Sequence, residues 1–230
     1  MTTAPNPFAA IQARARLRKQ LPVLPKDADG NFPFNHYMLE GYLFGIHLAP
    51  YEIESEEWGE ELESLLPETC EVTDQLINDC QCLYNDMLEG IIESQFFRIH
   101  TVKFVDHSDK DELSDSPAYY WISGLHLALD FVFTELEILS KQKRFKKNKD
   151  FRKFVDNYKE YISQLPLFFL LILKSYSKEI DLFAKLSEQV EVEKPLTAQD
   201  LSEKFESMLD ALTRLNDTAI EIFAQFVESA

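Results

Sequence analysis

Glycine is scarce in this chain, with six residues in 230, and proline is little commoner, with ten. All-β sandwiches and barrels need frequent turns, which draw heavily on these two residue types, so their shortage argues against such folds. Cysteine is scarcer still. Three cysteines, an odd number, do not make a disulfide framework and fit a reducing cytoplasm. No apolar run is long enough for a membrane. The longest, LPLFFLLIL at 165–173, has nine residues, whereas a spanning helix needs about 20. A buried helix is expected there.

Positive charge is missing over a long stretch. From Asp27 to Phe97 there is no Lys or Arg, although acids are frequent. The whole chain carries a formal charge of −17, with a sequence pI of about 4.7. A general nucleic-acid binder needs net basic surface to neutralise phosphates, so this balance disfavours nucleic acid as a partner. It also repels anionic membranes.

Catalytic signatures are missing too. There is no Gly-x-Ser-x-Gly elbow and no glycine-rich phosphate loop. Cys80 and Cys82 lie two apart on an expected helix, point to different sides and cannot share one zinc ion, and Cys70 adds no usable spacing. His36, His47 and His126 stand in aromatic or apolar helical segments, where structural or surface roles are expected. Glu40 and Glu57 form one of the many carboxylate pairs that an acidic composition supplies by chance. The reading is of a non-enzymatic protein with no cofactor. The alternative is a metal-binding protein or metal-dependent enzyme using Asp106, His107, Asp109 and Asp111 in VDHSDKD. That loop lacks the turn glycine and terminal Glu of a calcium loop, so a solvated acidic loop is the plainer expectation.

What is present is apolar periodicity. The chain is 45% hydrophobic and 13% aromatic, with 18 Phe, enough for a sizeable core. The expected class is all-α, a bundle of antiparallel helices with an additional long C-terminal helix. A first helix begins at Asn35 or His36 and ends before Pro50. Ser55 is the expected N-cap of a short helix with Glu56 and Glu57 in its first turn, where the helix dipole favours acids. Leu76, Ile77, Cys80, Leu83, Tyr84, Met87, Leu88, Ile91 and Ile92 form one helical stripe. Residues 99–115 read as loop, and Ser116-Pro117 opens a long helix. Trp121, Leu125, Ala128, Val132, Leu136 and Leu139 lie on its apolar face.

A further helix starts near Asp150, with Phe151, Phe154, Val155, Tyr158, Tyr161 and Ile162 inward. Pro166 kinks it or starts a new one. A shorter helix is expected near 178–189. Thr197 caps the last segment, where Leu201, Phe205, Met208, Leu212, Leu215, Ala219, Ile222 and Phe226 follow a heptad and Leu209 and Phe223 widen it. Two readings stay open: docking on the chain's own domain, or a homodimer through Leu201, Phe205, Leu212 and Ile222. The division expected is a flexible basic arm at 1–33, a helical domain at 34–175 and a C-terminal helical extension at 176–230. The arm carries Arg14, Arg16, Arg18 and Lys19 and no acid up to Pro22. Such arms are common disordered starts, although the composition also resembles a transit peptide.

The contact candidates lie in the sequence KQKRFKKNKDFRK at 141–153, which holds eight bases and one acid. Lys143, Arg144, Lys146 and Lys147 are the residues singled out for a protein partner with an acidic surface. Facing the acidic block, or simple solvation, is the plainer alternative. Phe145 and Phe151 interleave with the bases as in single-strand binders. Their spacing from Phe154 points them inward.

Three stretches carry a resemblance. Leu39-Glu40-Gly41-Tyr42-Leu43, Leu48-Ala49-Pro50 and Ser55-Glu56-Glu57-Trp58 resemble the opening of the YecA/YgfB-like family of bacterial proteins. That opening is a Leu-x-Gly-Phe-Leu helix, a Gly/Ala-Pro break, an acidic stretch and a Trp. Trp121-Ile122-Ser123-Gly124-Leu125 resembles the family's Trp-Ala-x-Gly-Phe segment, and FRKFVDNYKEYISQLPLFFLLIL is similar to its closing helix. The resemblance covers 34–175. It implies an all-α fold, a cytoplasmic location, no established enzymatic activity and regulatory roles through protein contacts. The Cys-rich zinc module of some members is absent here, so zinc is not carried over. Gly41, Gly45, Pro50, Trp58, Trp121 and Gly124 are the structural markers. Gly41 and Gly45 lie one turn apart and predict a groove for a neighbouring helix. Gly124 is expected to act alike, with Trp58 or Trp121 filling the space.

Overall fold

The structure is a computed structural model that describes residues 7–25, 32–68, 70–94, 117–176 and 198–228. The described residues form seven α-helices and no strand, so the fold is all-α. The helices are α1 (Pro7–Gln20), α2 (His36–Ile46), α3 (Ser55–Leu65), α4 (Asp74–Ser94), α5 (Pro117–Lys141), α6 (Lys149–Tyr176) and α7 (Ala198–Glu228). The expected loop at 99–115, helix near 178–189 and cap at Thr197 lie outside the described residues.

α2 is the centre of the fold. Asn35 caps it, its side-chain oxygen accepting from the Tyr37 and Met38 amides at 3.0 and 3.2 Å. Every residue of α2 except Tyr37 is buried, as expected of a helix that is apolar nearly all round. Its chain leaves through a tight turn. The amides of His47, Leu48 and Ala49 bond to the carbonyls of Phe44, Gly45 and Ile46 at 3.1 Å each. The next carbonyls are taken by other helices. Asn216 of α7 donates to the His47 oxygen at 3.3 Å, and the Tyr158 hydroxyl of α6 donates to the Leu48 oxygen. Buried carbonyls need such partners.

α2 crosses α5 in direct backbone contact. A Cβ added to Gly41 would overlap the Trp121 carbonyl oxygen, and one added to Gly124 would overlap the Met38 carbonyl oxygen. At Gly45 it would stand 2.5 Å from the Ala128 Cβ. The expected groove is present, but the α5 backbone fills it rather than an indole ring. The Trp121 ring instead packs on Phe44 at 5.0 Å and on Phe205 of α7 at 5.3 Å. Trp58 lies elsewhere, stacked on Tyr84 at 5.4 Å, with its carbonyl accepting from the Tyr42 hydroxyl at 3.2 Å. Pro50 is buried beyond the end of α2.

Residues 7–20 were expected in a flexible arm, and the structure corrects this. They form α1, which buries Ala10, Ala13, Leu17 and Leu21. Two ion pairs set α1 antiparallel on α4. Arg14 meets Asp86 at 2.8 Å, and Arg16 makes a two-pronged bond to buried Asp79 at 2.6 and 2.7 Å. Gln75 also donates to Asp79 at 2.9 Å. These arginines, rather than the 141–153 run, face the acidic block. At α3 the cap is Glu54, not Ser55, and Ser55 donates to the Glu56 carboxylate at 3.2 Å. α6 runs through Pro166 as one element, so no new helix starts there.

α7 docks on its own chain. Phe205 and Leu212 are buried and Ile222 is half-buried. Phe223 meets Tyr51, Phe151 and Phe154, and Phe226 meets Phe151 and Phe154. The described part of the heptad seam is thereby used within the chain. Both the seam and the extra Leu209 and Phe223 contribute, which explains its width.

Candidate interaction surface

The 141–153 run is organised by its two phenylalanines. Phe145 is buried and stacks on fully buried Phe151 at 4.3 Å, both facing the core. Neither ring is available to stack on a nucleic-acid base. Around Phe145 the chain turns tightly. The amides of Phe145 and Lys146 bond to the Gln142 carbonyl at 3.0 and 2.8 Å, and the Asn148 amide to the Phe145 carbonyl at 2.9 Å. With Phe145 turned inward, Lys143, Arg144, Lys146 and Lys147 are all exposed. Asn148 then caps α6, accepting from the Asp150 and Phe151 amides at 3.0 Å each.

The four candidate cations do not have one role. Arg144 donates to the Val227 carbonyl at 2.7 Å and lies over the Phe145 ring, 4.9 Å from its centroid. It clamps the end of α7, where the helix dipole favours a cation. Lys143, Lys146 and Lys147 make no ion pair among the described residues. Three further bases of the 141–153 run join them. Lys149, Arg152 and Lys153 lie on one exposed face of α6 and line an open hollow of about 370 Å³ with Asp156 and Asn157. Their one-turn spacing at 149, 152 and 153 was the available signal.

Other candidates are placed differently. Asp106, His107, Asp109 and Asp111 lie outside the described residues. No group of three His, Cys, Asp or Glu suited to a metal occurs among the described residues. His36 bonds through Nδ1 to the Leu21 carbonyl at 3.0 Å, and His47 through Nε2 to the Tyr84 carbonyl at 3.1 Å. Burial lowers the pKa of both, that of His47 to about 4. His126 pairs with Asp130 at the surface, 3.2 Å away. Burial pushes the Cys80 thiol up to about 12, which suppresses the reactive thiolate. No helix among the described residues is long and apolar enough to cross a membrane. None of the family models, curated proteins or solved structures compared with the chain matches it.

Proposed function

We propose that this chain is a non-enzymatic cytoplasmic protein that acts by binding another protein, in an interaction or regulatory role. Family membership is part of the proposal: the residue order from Leu39 to Trp58 and at Trp121–Leu125 supports a YecA/YgfB-like domain. The observation that carries the function is the exposure of Lys143, Lys146 and Lys147 without ion partners among the described residues, on a chain of net charge −17. A localised positive spot on a negative body draws an acidic surface to one place and holds other approaches off. Such electrostatics set encounter rate and partner choice more than affinity.

Arg144 is left out of the test because it clamps α7. A pull-down compares the wild type with a variant carrying Lys143→Glu, Lys146→Glu and Lys147→Glu. Loss of specific captured proteins is the expected result. An unchanged set would remove the basic surface from the account.

A further inference from the structure

We infer that the exposed face of α6 from Lys149 to Glu160 is a docking site for a protein segment that carries an acidic block followed by a basic one. This rests on the proposed interaction role and specifies the site and the partner chemistry. Lys149, Arg152, Lys153, Asp156 and Glu160 fall on one side of the helix, and all five are exposed. The face spans about 16 Å at 1.5 Å per residue. Its first half is positive and its second half negative. Lys159, beside this face, is committed to Glu137 at 2.9 Å and does not reverse the pattern.

Two features make the positive half unbalanced. Lys149, Arg152 and Lys153 make no ion pair among the described residues. They also sit at the N-terminal end of a helix, where the dipole already adds positive charge and cations are unfavourable. Asp150 is the acid in that first turn. The loop lysines 143, 146 and 147 adjoin this end of α6, and the surface over Lys149, Arg152 and Lys153 is open. An incoming carboxylate block relieves the repulsion there. A basic group further along the same segment meets Asp156 and Glu160.

The pattern favours a protein segment over a nucleic acid or an anionic bilayer. Both alternatives are uniformly negative, so they gain at the cationic half and are repelled at Asp156 and Glu160. The buried rings of Phe145 and Phe151 supply no base-stacking platform.

The test uses the full chain and a peptide of about twelve residues, matched to the helical face, with glutamates in one half and lysines in the other. Its controls are a peptide of the same composition with the charges alternating, an oligothymidylate of equal length and phosphatidylserine vesicles. Fluorescence anisotropy for the first three, and vesicle co-sedimentation, give the affinities. The block peptide is expected to bind at least about tenfold tighter than the alternating one. Lys149→Glu with Arg152→Glu is expected to lose that binding without a lower melting temperature, since acids suit a helix N-terminus. Equal binding of the two peptides overturns the inference, as does tighter binding of the oligonucleotide or vesicles. Unchanged binding by the double variant overturns it as well. If lysate capture depends on the loop lysines while the block peptide fails to bind, this inference falls and the interaction role stands.

Discussion

The carbonyl oxygen of Trp121 stands so close to Gly41 that a Cβ there would overlap it. Close helix backbones of this kind are where weak Cα–H···O contacts recur. Gly124 and Met38 repeat the arrangement in reverse. Any side chain at either glycine must push one helix backbone off the other.

Gly41→Ala and Gly124→Ala are each expected to destabilise the fold by about 1–3 kcal/mol or more, as overpacking does. Gly90→Ala is the control. It lies in α4 with open space around it, so the helix gains about 1 kcal/mol from the better helix former. Urea unfolding of the three variants separates close approach from a general dislike of substitution.

The glycine seam was legible because spacing reveals a shared face, and α4 to α7 were legible because their apolar stripes are long, while α2 and α3 were read from their breaks, caps and first-turn acids. α1 was not read as a helix. Its buried positions, Ala10, Ala13, Leu17 and Leu21, keep helical spacing, but two of them are small and arginines stand between them. What orders α1 is distant: Asp79 and Asp86 lie 63 and 72 residues away from Arg16 and Arg14. The role of Arg144 was hidden for the same reason, since Val227 is 83 residues along the chain. Composition identified the basic run, but only the inward turn of Phe145 and Phe151 separates clamp from free lysine.

Asp79 is the buried anchor of α1. Asp79→Ala removes the carboxylate that receives Arg16 and Gln75. α1 is then expected to open, giving faster amide exchange in residues 10–20 and faster tryptic cleavage after Arg14, Arg16 and Arg18. Protection equal to wild type would show that apolar packing and the Arg14–Asp86 pair hold α1 without Asp79.

His47 makes stability depend on acidity. Its ring stacks on Tyr84 at 4.0 Å, and burial lowers its pKa from 6.5 to about 4. Between those values the unfolded chain binds a proton that the folded chain does not. The stabilisation is complete above about pH 6.5 and falls as pH drops toward about 4, by about 2–3 kcal/mol. Burial of His36 acts in the same direction. His47→Gln should show a shallower loss between about pH 7 and about pH 4.5 in denaturation experiments. An unchanged slope would remove His47 from this role.

Leu212 is fully buried on α7. Leu212→Asp places an unpaired charge in the core, so a loss of about 4 kcal/mol or more is expected, with unfolding or aggregation. Light scattering and circular dichroism check this. A well-folded monomer arising from a wild-type dimer would instead assign the seam to self-association.

The central claim is that function resides in an electrostatic contact at the basic surface, separate from the apolar seams that hold the fold. The most direct measurement is the amount of captured protein partner retained by the wild type as salt rises from about 50 mM to about 500 mM, a range over which surface charges become largely screened. Progressive release is expected while the chain stays folded by circular dichroism. Retention unchanged across that range would contradict it and place the contact on an apolar face.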